Sequence, residues 1–198
     1  KEVPGVAIQF VAVPNGTNLG MNLKRKPWDD VRVRKAASLA IDRRVGIQLL
    51  REGAAALGGY MPPGQWGIPE EELVKMPGYR ADRVAEIAEA KKLLAEAGFP
   101  TGFKSKILTR NYKDYIDAAV FAKDQLAKVG IDLSVEARET ASAKELLVTK
   151  NYDTYIEALA SAAGDPDEIF GVYLVTQGGF NVVSFSDPKV DELFDKQS

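Results

Sequence analysis

Apolar and polar positions alternate along this chain with two periods, and the switches between them predict a succession of strands and helices. Residues 6–13, VAIQFVAV, form a mostly apolar run rich in Val, which suits a buried strand. Pro14-Asn15-Gly16 reads as a turn, and 17–23 as a second strand. Asp29 or Asp30 can cap the helix that follows, where Val33, Ala36, Ala37, Ala40 and Ile41 fall on one apolar stripe. Asp42 recaps a second helix carrying Val45, Leu49 and Leu50, with Gly53 near its end. From 54 to 80 the chain is rich in Gly and Pro, a long loop with room for a short helix at 70–75. Loops of that length inside a compact domain are usually functional or disordered.

Beyond the loop the periods are clearer. Residues 84–97 form a helix stopped by Gly98, Phe99 and Pro100. A strand follows at 103–109. The helix at 114–129 has a buried face traced by Tyr115, Ala119, Ala122, Leu126 and Val129, and Gly130 ends it. Residues 131–136 alternate apolar and polar, the mark of a half-buried strand. A helix at 141–149, a strand at 152–160, a helix from Pro166 and a last helix from Pro188 complete the order. Strand–helix alternation of this kind implies an α/β fold with at least some parallel pairing, and no linker divides the 198 residues into two domains.

Composition removes several chemistries. The 26 basic and 28 acidic residues are scattered, which gives no basic footprint for nucleic acid or anionic membranes. Cysteine and histidine are both absent, so thiolate metal sites, cysteine nucleophiles and histidine-dependent triads are excluded. No apolar run approaches the ~20 residues that span a bilayer. The opening Lys1-Glu2-Val3-Pro4 is not a signal peptide and the closing LFDKQS is no evident structural finish. The expectation is a processed, excised or truncated chain.

The stretch from Ser161 to Gly171, SAAGDPDEIFG, concentrates the functional question. Asp165 is a good N-cap, Pro166 suits the first helical position and Glu168 stands at N3, so capping is the plain reading of Asp165. Ser186-Asp187-Pro188 repeats the grammar. The strand before it feeds directly into Ser161, Ala162, Ala163 and Gly164. In open α/β sheets ligands sit beyond the carboxyl ends of the strands, and a helix N-terminus offers free N–H groups there. Either a polar ligand docks over these small residues, or a neighbouring element packs closely on them.

A set of motifs spread over the chain now adds a resemblance. Asn22-Leu23, the run Pro27-Trp28-Asp29-Asp30-Val31-Arg32-Val33-Arg34-Lys35-Ala36 and Ala40-Ile41-Asp42-Arg43 are the first of them. Pro62-Pro63 with Trp66-Gly67, the helix Glu89 to Gly98 (EAKKLLAEAG), Gln125 to Ile131 and Ser186-Asp187-Pro188-Lys189-Val190-Asp191 continue it. Together they resemble the extracellular solute-binding proteins that serve ABC importers of peptides, nickel, opines and some oligosaccharides. The resemblance implies one lobe of a type II periplasmic-binding-protein-like fold, with a mixed sheet flanked by helices. It further implies that residues 1–198 are the second, C-terminal lobe of a longer protein whose N-terminal lobe is missing, cut before the chain returns to the first lobe. The implied setting is the periplasm, or the outer face of the membrane with the full-length protein tethered as a lipoprotein. The implied partners are a small-molecule or peptide-like solute and an ABC permease. Binding without covalent chemistry is implied, with no cofactor and no metal, by a monomer.

The chain departs from the peptide-binding pattern at one place. Peptide binders of the family end the corresponding strand in W-x-x-D-Y, whose Asp pairs with the peptide's ammonium group. Counted back from Asp165-Pro166, the Trp position is Leu159, the Asp position Ala162 and the Tyr position Ala163. An ammonium left unpaired in a closed cleft costs several kcal/mol. The ligand is therefore expected to lack a free amino terminus, as in an opine, an oligosaccharide or a modified peptide, unless Asp165, Asp167 or Glu157 replaces the missing carboxylate.

Other candidates each have a plainer reading. Trp66 stacks on a ligand or anchors its loop on the domain, and Tyr60, Met61 and Gln65 share that loop. Gly178-Gly179 and Asn181 bring backbone near a ligand or make a turn. Asn111, after a strand in Arg110-Asn111-Tyr112, meets the ligand or caps the next helix. Arg32 and Arg34 are expected to pair with nearby acids. A solute-sensing or interaction module without transport is the alternative function. A carboxylate-based hydrolase built on Asp165 and Asp167 is a third idea, but residues two apart at a helix start do not face each other across a substrate.

Overall fold

The computed structural model describes residues 15–160 and 165–197. The elements in chain order are β1 (Asn15–Met21), α1 (Val31–Ala40), α2 (Arg43–Arg51), α3 (Glu70–Leu73), α4 (Arg83–Glu96), β2 (Phe103–Arg110), α5 (Lys113–Ala127), β3 (Ile131–Arg138), α6 (Thr140–Val148), β4 (Thr154–Ala160), α7 (Pro166–Tyr173) and α8 (Pro188–Gln197). The strand expected at 6–13 lies outside the described residues. Caps start the helices where the sequence places them. The Asp30 side chain accepts from the Arg32 amide, Asp42 from those of Arg44 and Val45, and Asp165 from that of Asp167. Asp187 does the same for Lys189. The Arg32 guanidinium also bonds Asp30 and holds its carboxyl at about 2. Gly98 closes α4 with positive φ. Its own amide donates to Ala95 and that of Phe99 to Leu94, the paired bonds of a Schellman motif.

The strands form one mixed sheet in the order β1-β4-β2-β3. β2 runs parallel to β3, with Phe103 opposite Ile131 and Arg110 opposite Arg138. It also runs parallel to β4, with Leu108 opposite Tyr155. β1 is antiparallel to β4, with Gly16 opposite Leu159 and Gly20 opposite Tyr155. The expected α/β architecture with a mixed sheet is thus observed. The carboxyl ends of β2, β3 and β4 share one edge. At the opposite edge Gly102 and Gly130, both at positive φ, press together, and a Cβ on Gly102 would lie 1.8 Å from the Gly130 carbonyl oxygen. No other residue fits there.

Side chains of alternate sign of the pleat build two cores. One face carries Ile107, Ile131, Leu133 and Ile156 against α1, α4 and α5. Trp28 is fully buried in this core. It meets the Phe103 ring edge-on at 5.4 Å, and its indole N–H donates to Ser105 Oγ at 3.0 Å. Ser105 in turn donates to Asp153 at 3.1 Å. The other face carries Leu108 against Leu147, Tyr152 and Val182, so α6 and the segment after α7 cover it. Each Leu or Ile buried in this way contributes about 1.5–3 kcal/mol.

A buried carboxylate ties the long loop to the first core. Glu86 on α4 is fully buried and accepts from the Gly78 amide at 2.5 Å, from Arg80 Nε at 3.0 Å and from Arg83. Arg83 also donates to the Leu39 and Ala40 carbonyls at the end of α1. Arg43 donates to the Gly78 and Ser38 carbonyls, with its guanidinium 4.3 Å from the Tyr79 ring centre.

Two expectations are corrected. Of the apolar residues read on α2, Leu50 packs against the first core, whereas Val45 and Leu49 are exposed, Leu49 at 69%. α2 instead lays Gly46 against the Phe121 ring, which a Cβ would approach to 3.1 Å. Among the described residues Arg34 pairs with no acid; it donates to the Trp28 and Asp29 carbonyls at 2.8 and 2.9 Å, closing the turn before α1.

Removing one partner of a buried ionic network leaves the others uncompensated. Glu86→Ala is expected to lower unfolding stability by about 3–5 kcal/mol. Glu89→Ala, which removes the half-exposed partner of Arg80, should cost less than about 1 kcal/mol. Urea denaturation of the two variants checks the difference, and equal losses would mean that burial does not set the strength of this knot.

Candidate functional site

The shared carboxyl edge of the parallel strands is where Arg110 of β2 meets Glu157 of β4. Adjacent parallel strands bring these residues together although 47 positions separate them, and both side chains are largely buried. Arg110 Nη2 donates to the Glu157 carboxylate and to the Tyr115 hydroxyl at the start of α5. The guanidinium carbon lies 4.3 Å from the centre of the Tyr115 ring and 5.9 Å from that of Tyr112. Glu157 Oε1 also accepts from the Ala158 amide at 3.0 Å. Two polar atoms on consecutive residues here are buried without a partner, Arg110 Nε and Thr109 Oγ1. A fixed guanidinium with a spare donor suits an anionic or strongly accepting group.

Tyr155 and Glu157 are two apart on β4 and so share a face. The Tyr155 ring covers Gly20 of β1, where a Cβ would fall 2.1 Å from a ring carbon, so the neighbouring strand is emptied to admit it. Tyr155 also stands edge-on to Tyr152 at 5.3 Å. On α7, Tyr173 stands edge-on to Phe180 at 5.8 Å. Burial, then the nearby Tyr60, Glu157 and Tyr173, push the Tyr155 phenol well up. Burial and then the Glu157 charge raise Tyr115, with Arg110 opposing. Burial, Glu157 and Glu168 raise Tyr173.

The predicted ligand residues scatter. Ser161, Ala162 and Gly164 lie outside the described residues. Leu159 is half-buried on β4, at the edge that carries Arg110 and Glu157. Asp165 is exposed and caps α7. Asn111 is exposed and does not cap α5, whose N-cap is Tyr112; its amide donates to the Arg138 carbonyl at 2.7 Å. Trp66 is 57% exposed, so it does not anchor its loop, and Tyr60 is about as open. Met61 is buried, and offers packing rather than surface. Asn181 is buried with its amide committed to the Val175 and Phe185 backbone, a clasp for the turn that follows α7. Gly178 belongs to that turn.

The pairing of Arg110 with Glu157 was not read from the sequence. Its signal is a charged residue in the middle of the otherwise apolar TYIEALA strand. Among the described residues, the two most distinct cavities are shallow. One of about 400 Å³ lies over β2 and β3 between Lys106, Arg138 and Asp153, and one of about 360 Å³ lies by Phe99 and Gly130. Neither is lined by a predicted ligand residue. No group of three or more Asp or Glu among the described residues could hold a metal ion, and no described helix is long and apolar enough to cross a membrane.

Residues 1–181 match the bacterial extracellular solute-binding proteins, family 5 Middle. The chain is 27% identical over 185 residues to the glutathione-binding protein GsiB of Pectobacterium atrosepticum, covering 87% of this chain and 34% of that protein. Two solved periplasmic binding proteins share 25% identity with it. DppA of Helicobacter pylori in complex with the peptide STSA superposes with a TM-score of 0.79, covering 93% of this chain and 35% of DppA. AgaA of A. tumefaciens R10 in complex with agropinic acid gives 0.74, with 93% and 38% covered. The chain spans about a third of the length of the curated relatives it matches.

The raised phenols make a pH prediction. Burial lifts Tyr152 and Tyr155 well above the ordinary value of 10.0. In the unfolded chain they ionise near 10, while in the fold they stay protonated, so the stability they contribute is complete below pH 10 and is lost as pH rises past it. Thermal unfolding between pH 8 and 11 should show Tm falling above pH 10, less steeply in Tyr152→Phe.

Proposed function

The chain belongs to the bacterial extracellular solute-binding proteins of family 5, and from that premise we propose that it is one ligand-binding lobe of a two-lobe receptor that delivers a solute to an ABC permease. The observation that carries the reading is the Arg110–Glu157 pair, held by Tyr115 at the carboxyl edge of three parallel strands. Ligands of open α/β folds sit at that edge. The chain's length relative to its relatives leaves room for a second lobe, here the N-terminal one, with 1–198 as the C-terminal lobe. The two close on the solute by a hinge motion that the permease reads. The setting is periplasmic or extracytoplasmic, where a lipid anchor on the full-length protein is also compatible with transport.

The solute is not a peptide with a free amino terminus. Ala162 stands where the resemblance puts the ammonium-binding Asp of peptide binders. The three candidate replacements for it are engaged: Glu157 pairs with Arg110, Asp165 caps α7, and Asp167 accepts from Gln197. Arg110 receives the solute's anionic group. An opine, an oligosaccharide acid or an amino-blocked peptide meets both conditions.

The full-length receptor tests this by thermal shift against the peptide STSA, N-acetyl-STSA, glutathione and agropinic acid. A solute at a hundred times its Kd stabilises by about 2.7 kcal/mol. Stabilisation is expected from the blocked peptide or the opine and not from STSA. Ala162→Trp should abolish that stabilisation, since the resemblance puts position 162 at the ligand. Unchanged affinity in calorimetry would remove Ala162 from the site, and chemical turnover of a bound solute would overturn the receptor reading.

A further inference from the structure

We propose that the second face of the sheet carries an accessory site, apart from the Arg110–Glu157 pair, that binds a small acidic amino acid through Arg25, Arg138 and Asp153. The inference does not rest on the receptor reading, because this chain alone forms the cavity, whatever solute the receptor delivers.

The site is the cavity of about 400 Å³ over β2 and β3. That volume lies in the range of small-molecule sites. Alternate residues of a strand share a face, so Lys106 and Leu108 of β2 and Glu136 and Arg138 of β3 all line it, with Glu136 opposite Leu108 in the parallel register. Arg110 and Glu157 do not line it. The floor is apolar: Leu108 and Tyr152 are buried, and Leu146 of α6 packs beside them. Two turns fix the far wall. Asn22, itself buried, donates to the Lys150 and Tyr152 carbonyls and so holds the turn after β1 against the approach to β4. On the first turn Arg25 donates to Asn151 Oδ1 on the second at 2.7 Å.

The charges that line the cavity do not cancel. Lys106 and Glu136 satisfy each other at 3.0 Å. Among the described residues, the Arg138 guanidinium has no hydrogen bond and no ion pair, and Arg25 pairs with no acid. Asp153 accepts from Ser105 Oγ at 3.1 Å and pairs with no base among the described residues. Two uncommitted guanidiniums and one uncommitted carboxylate therefore face one cavity with an apolar floor. A guanidinium takes a carboxylate through two parallel N–H bonds, and a carboxylate takes an ammonium. The complement is a molecule with two carboxylates and one ammonium on a short aliphatic chain, whose methylenes meet Leu108 and Leu146. An acidic α-amino acid has that pattern. A dicarboxylate without the ammonium leaves Asp153 unanswered, and a neutral amino acid leaves one guanidinium unanswered. A polyphosphate meets repulsion from Asp153 and Glu136.

Calorimetry on the full-length protein with L-glutamate, glutarate and L-glutamine tests the inference, since glutarate lacks the ammonium and L-glutamine lacks the second carboxylate. L-Glutamate is expected to bind about tenfold more tightly than either. Arg25→Gln and Arg138→Gln should each weaken L-glutamate about tenfold while leaving Tm within a few degrees, because neither cation holds an ion pair that the fold would lose. No heat from L-glutamate at millimolar concentration overturns the inference, as does equal affinity for the three probes. Undiminished affinity in both Arg variants places L-glutamate elsewhere on the protein and overturns it too. Each of these results leaves the receptor reading standing.

Discussion

The fold depends on holding three strands parallel so that their carboxyl ends meet at one edge, and the buried chain Trp28–Ser105–Asp153 is where that is enforced. Trp28 belongs to the turn before α1, Ser105 to β2 and Asp153 to the approach to β4. Parallel strands are not joined by hairpins, so nothing local fixes how far β4 slides against β2. A hydrogen-bonded series crossing both strands, inside a core sealed by the indole, does fix it. Slipping β4 by one residue would reverse its two faces, sending Ile156 out of the first core and Glu157 into it. The Arg110–Glu157 pair therefore exists only in the register that Trp28 and its partners hold.

This explains why the motifs that carry the family resemblance are nearly all architectural. Asn22 donates to the Lys150 and Tyr152 carbonyls and so ties the end of β1 to the start of β4. Asp30 and Asp42 cap helices, Arg34 closes a turn on carbonyls, and Arg43 clamps the long loop at Gly78. Such residues hold a lobe in shape whatever it binds. The strand ends and the loop carrying Tyr60 are freer of such duties, and substitution there leaves the core intact.

Local structure was legible in the sequence because its causes are local. A carboxylate before an apolar stripe caps a helix, and a glycine after one ends it, as Asp42, Asp165 and Gly98 do. The order of strands and helices followed, and with it the α/β class. The site was only partly legible. Asn181 and Met61 neighbour candidate site residues in the chain, but burial and backbone hydrogen bonds decide what they do. Val45 and Leu49 followed the helical period, yet the covering ring of Phe121 comes from α5 and rests on Gly46 instead. Arg110 and Glu157 meet through strand pairing, which no periodicity records. A charge in the middle of an apolar strand was the only local trace of their contact.

That contact has a consequence for how a half-site behaves. A guanidinium left alone at a sheet edge would be drawn to water, and covering it would carry a desolvation penalty of several kcal/mol. Arg110 is already desolvated and already balanced by Glu157, with Tyr115 beneath it, so closing a second lobe over it removes little further hydration from the cation. If the proposed function holds, the solute's anionic group meets a donor of fixed direction rather than a mobile one, and less conformational entropy is lost on binding. On the same reading the lobe alone is a poor binder, because Glu157 competes for the guanidinium until contacts from the solute and the opposing lobe outweigh it, and affinity is tied to closure.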